Sequence, residues 1–214
     1  MDAATQSLVR SLQEFNRKER YWLARYAVGQ PFLTLSKRFR QNLGAAISTS
    51  ERQVQIPECA WWAIDYHIDW LVGALRLEAA PDEVGPFLNG GEITGTQQDI
   101  DLLVAFNRTI VLVEAKGATA WNNEQLRSKR ERLNLVHGLA EQSAVSMYLV
   151  LASPGKPQKL DHADWPDFGK LPDGAPYHIT LPMEPPSPLG FRLVTRGSKG
   201  SKSWGYAWVQ RPRS

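Results

Sequence analysis

The chain has 214 residues, 43% of them apolar and 22% charged, with 25 Lys and Arg against 22 Asp and Glu for a net charge of +3. So large an apolar share excludes a disordered polymer, and no run approaches the ~18 apolar residues of a membrane span. The single cysteine, Cys59, excludes an internal disulfide and thiolate-rich metal sites; Met1-Asp2-Ala3-Ala4-Thr5 lacks the basic head and apolar run of a secretory signal, so a cytoplasmic chain is expected.

Residues 4–28 read as one helix, because Leu8, Leu12, Phe15, Trp22, Leu23 and Tyr26 recur three or four apart until Gly29-Gln30-Pro31. A second helix is expected at 34–46, on the stripe Leu35, Phe39, Leu43. Basic clusters at Arg17-Lys18-Glu19-Arg20 and Lys37-Arg38-Phe39-Arg40 read as solvated helix faces. A third helix is expected over 59–78, where Ile64, Ile68, Leu71, Val72 and Leu75 share one side of a helical wheel. The Gly-rich stretch 83–98 leaves room for one short strand. Two strands follow at 99–106 and 109–116, joined by an Asn107-Arg108 turn. A helix is expected at 121–142 on Leu126, Leu133, Val136 and Ala140, then a buried strand at 145–151. Prolines crowd 153–190, and the runs 191–195 and 205–210 form a terminal hairpin around a Gly/Ser loop holding Lys199 and Lys202. The order predicts an α/β (α+β) fold with a mixed sheet. Residues 1–58 would be an N-terminal helical extension, 59–152 the core, and 153–214 a Pro-rich segment with a C-terminal β-hairpin.

The chemistry concentrates in the hairpin. With Asn107 and Arg108 as the turn, Phe106 faces Thr109, Asp101 faces Glu114 and Asp99 faces Lys116. Alternation then brings Asp99, Asp101, Glu114 and Lys116 out on one face. Charge gathered so tightly at a strand end is costly unless paired or holding a cation. Mg²⁺ prefers hard oxygen ligands and binds through one or two carboxylates plus water and phosphate oxygens. Asp101 and Glu114 can share such an ion with the carbonyl of Ala115, and Lys116 beside it can serve a water or a phosphate. The implied chemistry is hydrolysis of a phosphodiester.

Asp101, thirteen residues before Glu114-Ala115-Lys116, on consecutive apolar strands between helices, resembles the PD-(D/E)XK (restriction-endonuclease-like) nuclease superfamily. The resemblance covers slightly under half the chain and implies an αβββαβ core over 59–152. It implies Asp101 as the metal-binding aspartate, Glu114 as the second acidic ligand, Lys116 as the catalytic lysine, and Mg²⁺ or Mn²⁺ as the metal. Many members add an acid early in the preceding helix, where Asp65 stands, with Asp69 one turn later. Some add a polar residue on the helix after the lysine, where Gln125 and Lys129 lie four apart. The proline of the motif is replaced here by Gln98-Asp99-Ile100, which makes Asp99 a rival for the role of Asp101. Arg127, Arg130 and Arg132, on that same helix, are candidate phosphate contacts. The expected activity is a metal-dependent nuclease acting on DNA rather than RNA, with no membrane partner and an optional homodimer. The alternative is a non-catalytic nucleic-acid-binding or assembly module that keeps the fold. His67 reads as a structural histidine, and Cys59 as an inert apolar residue.

Overall fold

A computed structural model of the chain describes residues 3–29, 33–80, 98–117, 121, 123–157, 160, 165–183, 192–196 and 206–210. Met1–Leu181 form one compact unit and Pro182–Ser214 a second. The first unit contains helices α1 (Ala3–Phe15), α2 (Glu19–Val28) and α3 (Lys37–Ala46), strand β1 (Trp61–His67) and helix α4 (Ile68–Ala79). Strands β2 (Asp99–Phe106) and β3 (Thr109–Ala115), helix α5 (Asn123–Gln142), and strands β4 (Ser146–Ser153) and β5 (His178–Thr180) complete it. Among the described residues the second holds the antiparallel pair β6 (Arg192–Arg196) and β7 (Tyr206–Gln210), which is the expected terminal hairpin. Its loop, with Lys199 and Lys202, lies outside the described residues, as does the expected strand in the Gly-rich stretch.

The five-stranded sheet runs in the order β1-β2-β3-β4-β5. Strands β1, β2 and β3 pair antiparallel, and β4 and β5 continue in parallel with β3. A parallel neighbour requires a crossover, which α5 supplies between β3 and β4. Both faces of the sheet are covered, and this explains the unbroken apolar runs Leu102–Phe106 and Ile110–Val113. Leu8 and Leu12 of α1, Leu71 and Leu75 of α4, and Leu133 and Val136 of α5 pack with Leu103, Ile110, Leu112 and Leu149. Leu43 and Ile47 pack with Val104, Phe106, Val111 and Val150 in the second cluster. Segment 153–181 joins the first unit, since β5 pairs with β4 and Tyr177 and Ile179 enter the second cluster.

Two helices differ from the sequence reading. The single helix expected at 4–28 breaks into α1 and α2 at Asn16–Lys18. Asn16 is buried, its carboxamide accepts from the Lys18 N–H (3.4 Å), and its carbonyl accepts from the Trp22 indole (3.2 Å). An Asn side chain that competes for the backbone in this way ends a helix. The helix expected over 59–78 is a strand as far as His67 and a helix only from Ile68. Ile64 sits on the helical stripe by coincidence; the residues before it, Trp61 and Ala63, are buried alternately, and β1 pairs with β2 from Trp61↔Ala105 to His67↔Asp99. Aromatic and β-branched residues suit that pleated surface better than a helix. Among the described residues the antiparallel strands are β1, β2 and β3, with α4 between the first two, so a strand stands where the start of the core's first helix is expected. Cys59 is exposed, so it does not serve as an apolar core residue.

Candidate active site

The hairpin forms in the expected register. Phe106 faces Thr109, and Leu102 faces Val113. The turn residues Asn107 and Arg108 have φ of 41° and 56°, the left-handed pair of a type I′ turn. Sheet topology then gathers the polar residues. The C-terminal ends of β1, β3 and β4 and the N-terminal end of β2 lie at one edge of the sheet. Asp65, His67, Asp99, Asp101, Glu114 and Ser153 belong to these strand ends, and Lys116 directly follows β3.

At that edge the ladder departs from the expected pairing. Pairing of β2 with β3 stops at Leu102↔Val113, so Asp101 does not face Glu114 through the backbone, and Asp99 does not face Lys116. Instead the Asp101 carboxylate reaches across and accepts the Ala115 N–H at 2.6 Å. Asp65 lies on β1, not a helix, with φ of 50°; its carboxylate meets the Arg20 guanidinium at 3.1 Å. Asp99 meets the Lys18 ammonium at 2.7 Å and, on its other oxygen, the His67 Nδ1. His67 directly precedes α4, with its ring edge-on to Trp70. Asp69 is half-buried in the first turn of α4.

Glu114 is the most telling of these groups, only 8% exposed. Lys129 of α5 donates to its Oε1 at 2.6 Å and to the Asp99 carbonyl at 2.6 Å, so one ammonium ties β2 to β3. Burial pushes the Glu114 carboxyl up to about 7; the Lys129 charge and hydrogen bond oppose this, neighbouring Asp101 adds to it, and Lys116 opposes it. Among the described residues the Lys116 ammonium has no hydrogen-bond or ion-pair partner, while its backbone N–H is fixed on the Ala152 carbonyl at 2.8 Å. Arg130 and Arg132 are half-buried on α5; the side chains of Gln125 and Arg127 lie outside the described residues.

No family model, no curated protein and no solved structure matches the chain. Asp101 and Glu114, with the Ala115 carbonyl, offer hard oxygen donors of the kind Mg²⁺ takes through one or two carboxylates. Glu114 is already held by the Lys129 ammonium, so an added cation would share its carboxylate with that lysine. No group of three or more His, Cys, Asp or Glu able to hold a metal occurs among the described residues, so any fit rests on two carboxylates and water.

Several polar residues at this edge were not legible in the sequence. Lys18 and Arg20 belong to a cluster that reads as a solvated face. Ser153 accepts the Trp121 indole N–H (3.3 Å), donates to the Gly155 carbonyl (2.8 Å) and lies 3.0 Å from the His178 Nε2. Burial holds the His178 pKa below its ordinary value. Glu114 pairs with Leu151, and Leu151 with His178, so this histidine stands two strands from Glu114 on the same cross-strand row. A strand of three residues leaves almost no periodic signal to find it by.

The raised Glu114 pKa has a consequence for stability. The unfolded carboxyl titrates near 4.5 and the folded one near 7, so the native state holds the extra proton between those values. Stability contributed by the protonated form is complete below pH 4.5 and is lost as pH rises through 7. Without divalent metal, the folding free energy of the protein should fall by about 3 kcal/mol from this group across that window. Denaturant melts at intervals from pH 4.5 to 8 check this against Glu114→Gln. Wild type should lose stability relative to Glu114→Gln as pH rises through this window, so the gap widens in favour of the variant; a constant difference would refute it.

Proposed function

We propose that the protein is a Mg²⁺-dependent nuclease of the restriction-endonuclease-like kind, hydrolysing phosphodiester bonds in DNA. The observation that carries this reading is Glu114, a buried carboxyl poised near neutrality beside Asp101, with the unengaged Lys116 two residues on. The antiparallel pair β2-β3 and the parallel strand β4 reached through α5 support the resemblance drawn from the hairpin motif, while α4 after β1 departs from it. Asp101 and Glu114 would hold the ion with the Ala115 carbonyl. The bound ion would lower the pKa of water and offset negative charge on the phosphate.

The chain's own part is positional and electrostatic. The Ala115 N–H fixes the Asp101 carboxylate against the end of β3. Lys129 clamps Glu114 in one orientation. Lys116, with no competing partner among the described residues, is available to orient the attacking water or to stabilise the phosphate oxygens. Hydrolysis adds water across one P–O bond, leaving a phosphate on one fragment and a protonated hydroxyl on the other. Arg130 and Arg132, on the helix that supplies Lys129, would meet neighbouring phosphates. A cytoplasmic setting suits such a substrate.

One observation favours the non-catalytic alternative. Asp65, Asp99 and Glu114 each already face a cation, in Arg20, Lys18 and Lys129. A fully neutralised strand end would be a binding module with a structural charge network. Incubating the protein with end-labelled DNA, with Mg²⁺ or with excess chelator, separates the two. Cleavage that requires the metal is the expected result; retention of DNA without cleavage under any divalent ion would establish the binding module.

A further inference from the structure

Helix α2 buries only Tyr21. Its other large apolar side chains face solvent: Trp22 is 48% exposed, Leu23 66% and Tyr26 83%. Surface helices normally turn such a stripe inward. Here the helix is instead anchored through its start. Lys18 grips Asp99 and Arg20 grips Asp65, both at the candidate active edge, and Tyr21 packs against Trp61 and Trp62. The outward face is left without a partner among the described residues.

The charge pattern identifies an occupant. Of the cations over this helix and its approach, Lys18 and Arg20 are held by Asp99 and Asp65, while Arg17 and Arg25 have no ion pair among the described residues; the one acid in the stretch is Glu19. The Arg17 guanidinium lies 5.8 Å over the ring of Trp70, whose edge meets His67, so it stands beside the candidate site. The Arg25 guanidinium lies over Tyr21 and Trp22, at 5.4 and 6.0 Å. Trp22 and Tyr26 are one turn apart on one side of the helix, ~6 Å along its axis. Interleaved arginines and exposed rings suit an anion that also presents flat apolar faces. An unpaired polynucleotide strand offers both, phosphates for the guanidinium groups and bases for the rings. Paired bases in a duplex keep their faces stacked inside. A purely apolar protein surface would cover Arg17 and Arg25 without offering them an anion.

We propose that α2 is a stacking platform for single-stranded nucleic acid, leading the strand from Tyr26 and Trp22 past Arg20 and Arg17 to the carboxylate edge. The inference rests on the nuclease reading, because it names the strand that such a site would receive.

Binding measured in chelator keeps it separable from catalysis. A short fluorescein-labelled oligothymidylate is titrated with the full chain, and fluorescence anisotropy is read beside a duplex of the same length. The single strand should bind at least tenfold more tightly than the duplex, and Trp22→Ala/Tyr26→Ala should weaken it by roughly tenfold or more. Because Trp22 also bonds Asn16, Tyr26→Ala alone is the second variant; it should weaken binding several-fold and leave the melting temperature unchanged. Equal binding by wild type and both variants, or no binding to the single strand, overturns the platform. So does a wild-type dimer in sedimentation that Tyr26→Ala converts to monomer, since the face would then be the seat of a second copy. Strand binding that depends on Tyr26, in a protein that cleaves nothing with Mg²⁺, would reject the nuclease reading while keeping the platform.

Discussion

Lys116→Ala should slow Mg²⁺-dependent DNA cleavage by roughly 10²- to 10³-fold and leave the melting temperature within about 2 °C of wild type. The two halves of this expectation come from the same geometry. The Lys116 backbone N–H holds the Ala152 carbonyl, a bond that alanine keeps. Its ammonium has no partner among the described residues, so truncation orphans none of them. Its charge favours the ionised form of Glu114. Lys129 differs in kind: it is tied to Glu114 and to the Asp99 carbonyl, and its loss would leave a buried carboxylate unpaired. A structural lysine and a chemical one therefore sit on either side of the same acid. Cleavage by the alanine variant at the wild-type rate would remove Lys116 from the chemistry, and a fall of many degrees in melting temperature would make it a structural residue.

The hairpin at the centre of the site was legible because two local signals agree. Apolar runs mark both strands, and a two-residue turn fixes their register, so Phe106↔Thr109 follows from the sequence alone. Lys129 was legible for a similar reason, as it lies beside the buried stripe of α5 that includes Leu133 and Val136. The stretch 61–67 was not. Its apolar spacing is compatible with a helix that continues into α4, and only pairing with β2, more than thirty residues on, selects the strand. Nor does hydrophobic pattern show which charges meet. The Lys18–Asp99 pair spans 81 residues and the Arg20–Asp65 pair 45, and both depend on how α2 lies against β1. The positive φ of Asp65 is equally hidden; after it the burial alternation shifts phase, from Trp61 and Ala63 to Tyr66. Tyr66 then turns into the core, where its hydroxyl donates to the Leu12 carbonyl at 2.8 Å, and burial raises its pKa.

Arg108→Ala should destabilise the protein by about 3 kcal/mol, the cost of stranding a buried charge. Arg108 looks like an ordinary turn residue in the sequence, yet its guanidinium meets the Glu78 carboxylate at the end of α4 and donates to the Ser143 carbonyl just beyond α5. The Glu78 side chain is 4% exposed and also accepts the hydroxyls of Ser7 (2.9 Å) and Ser11 (3.2 Å) of α1. One carboxylate thus collects α1, α4 and the β2–β3 turn around a single arginine. Alanine would remove the cation and leave the carboxylate buried with two neutral donors. The left-handed backbone at this position, φ of 56°, would remain as a strain in alanine. For a chain of this length the loss corresponds to a fall of about 10 °C in melting temperature. Arg108→Ala combined with Glu78→Gln should recover part of it, because the stranded charge is gone, and that recovery distinguishes a lost ion pair from a damaged turn. A double variant no more stable than Arg108→Ala would assign the effect to the turn backbone instead.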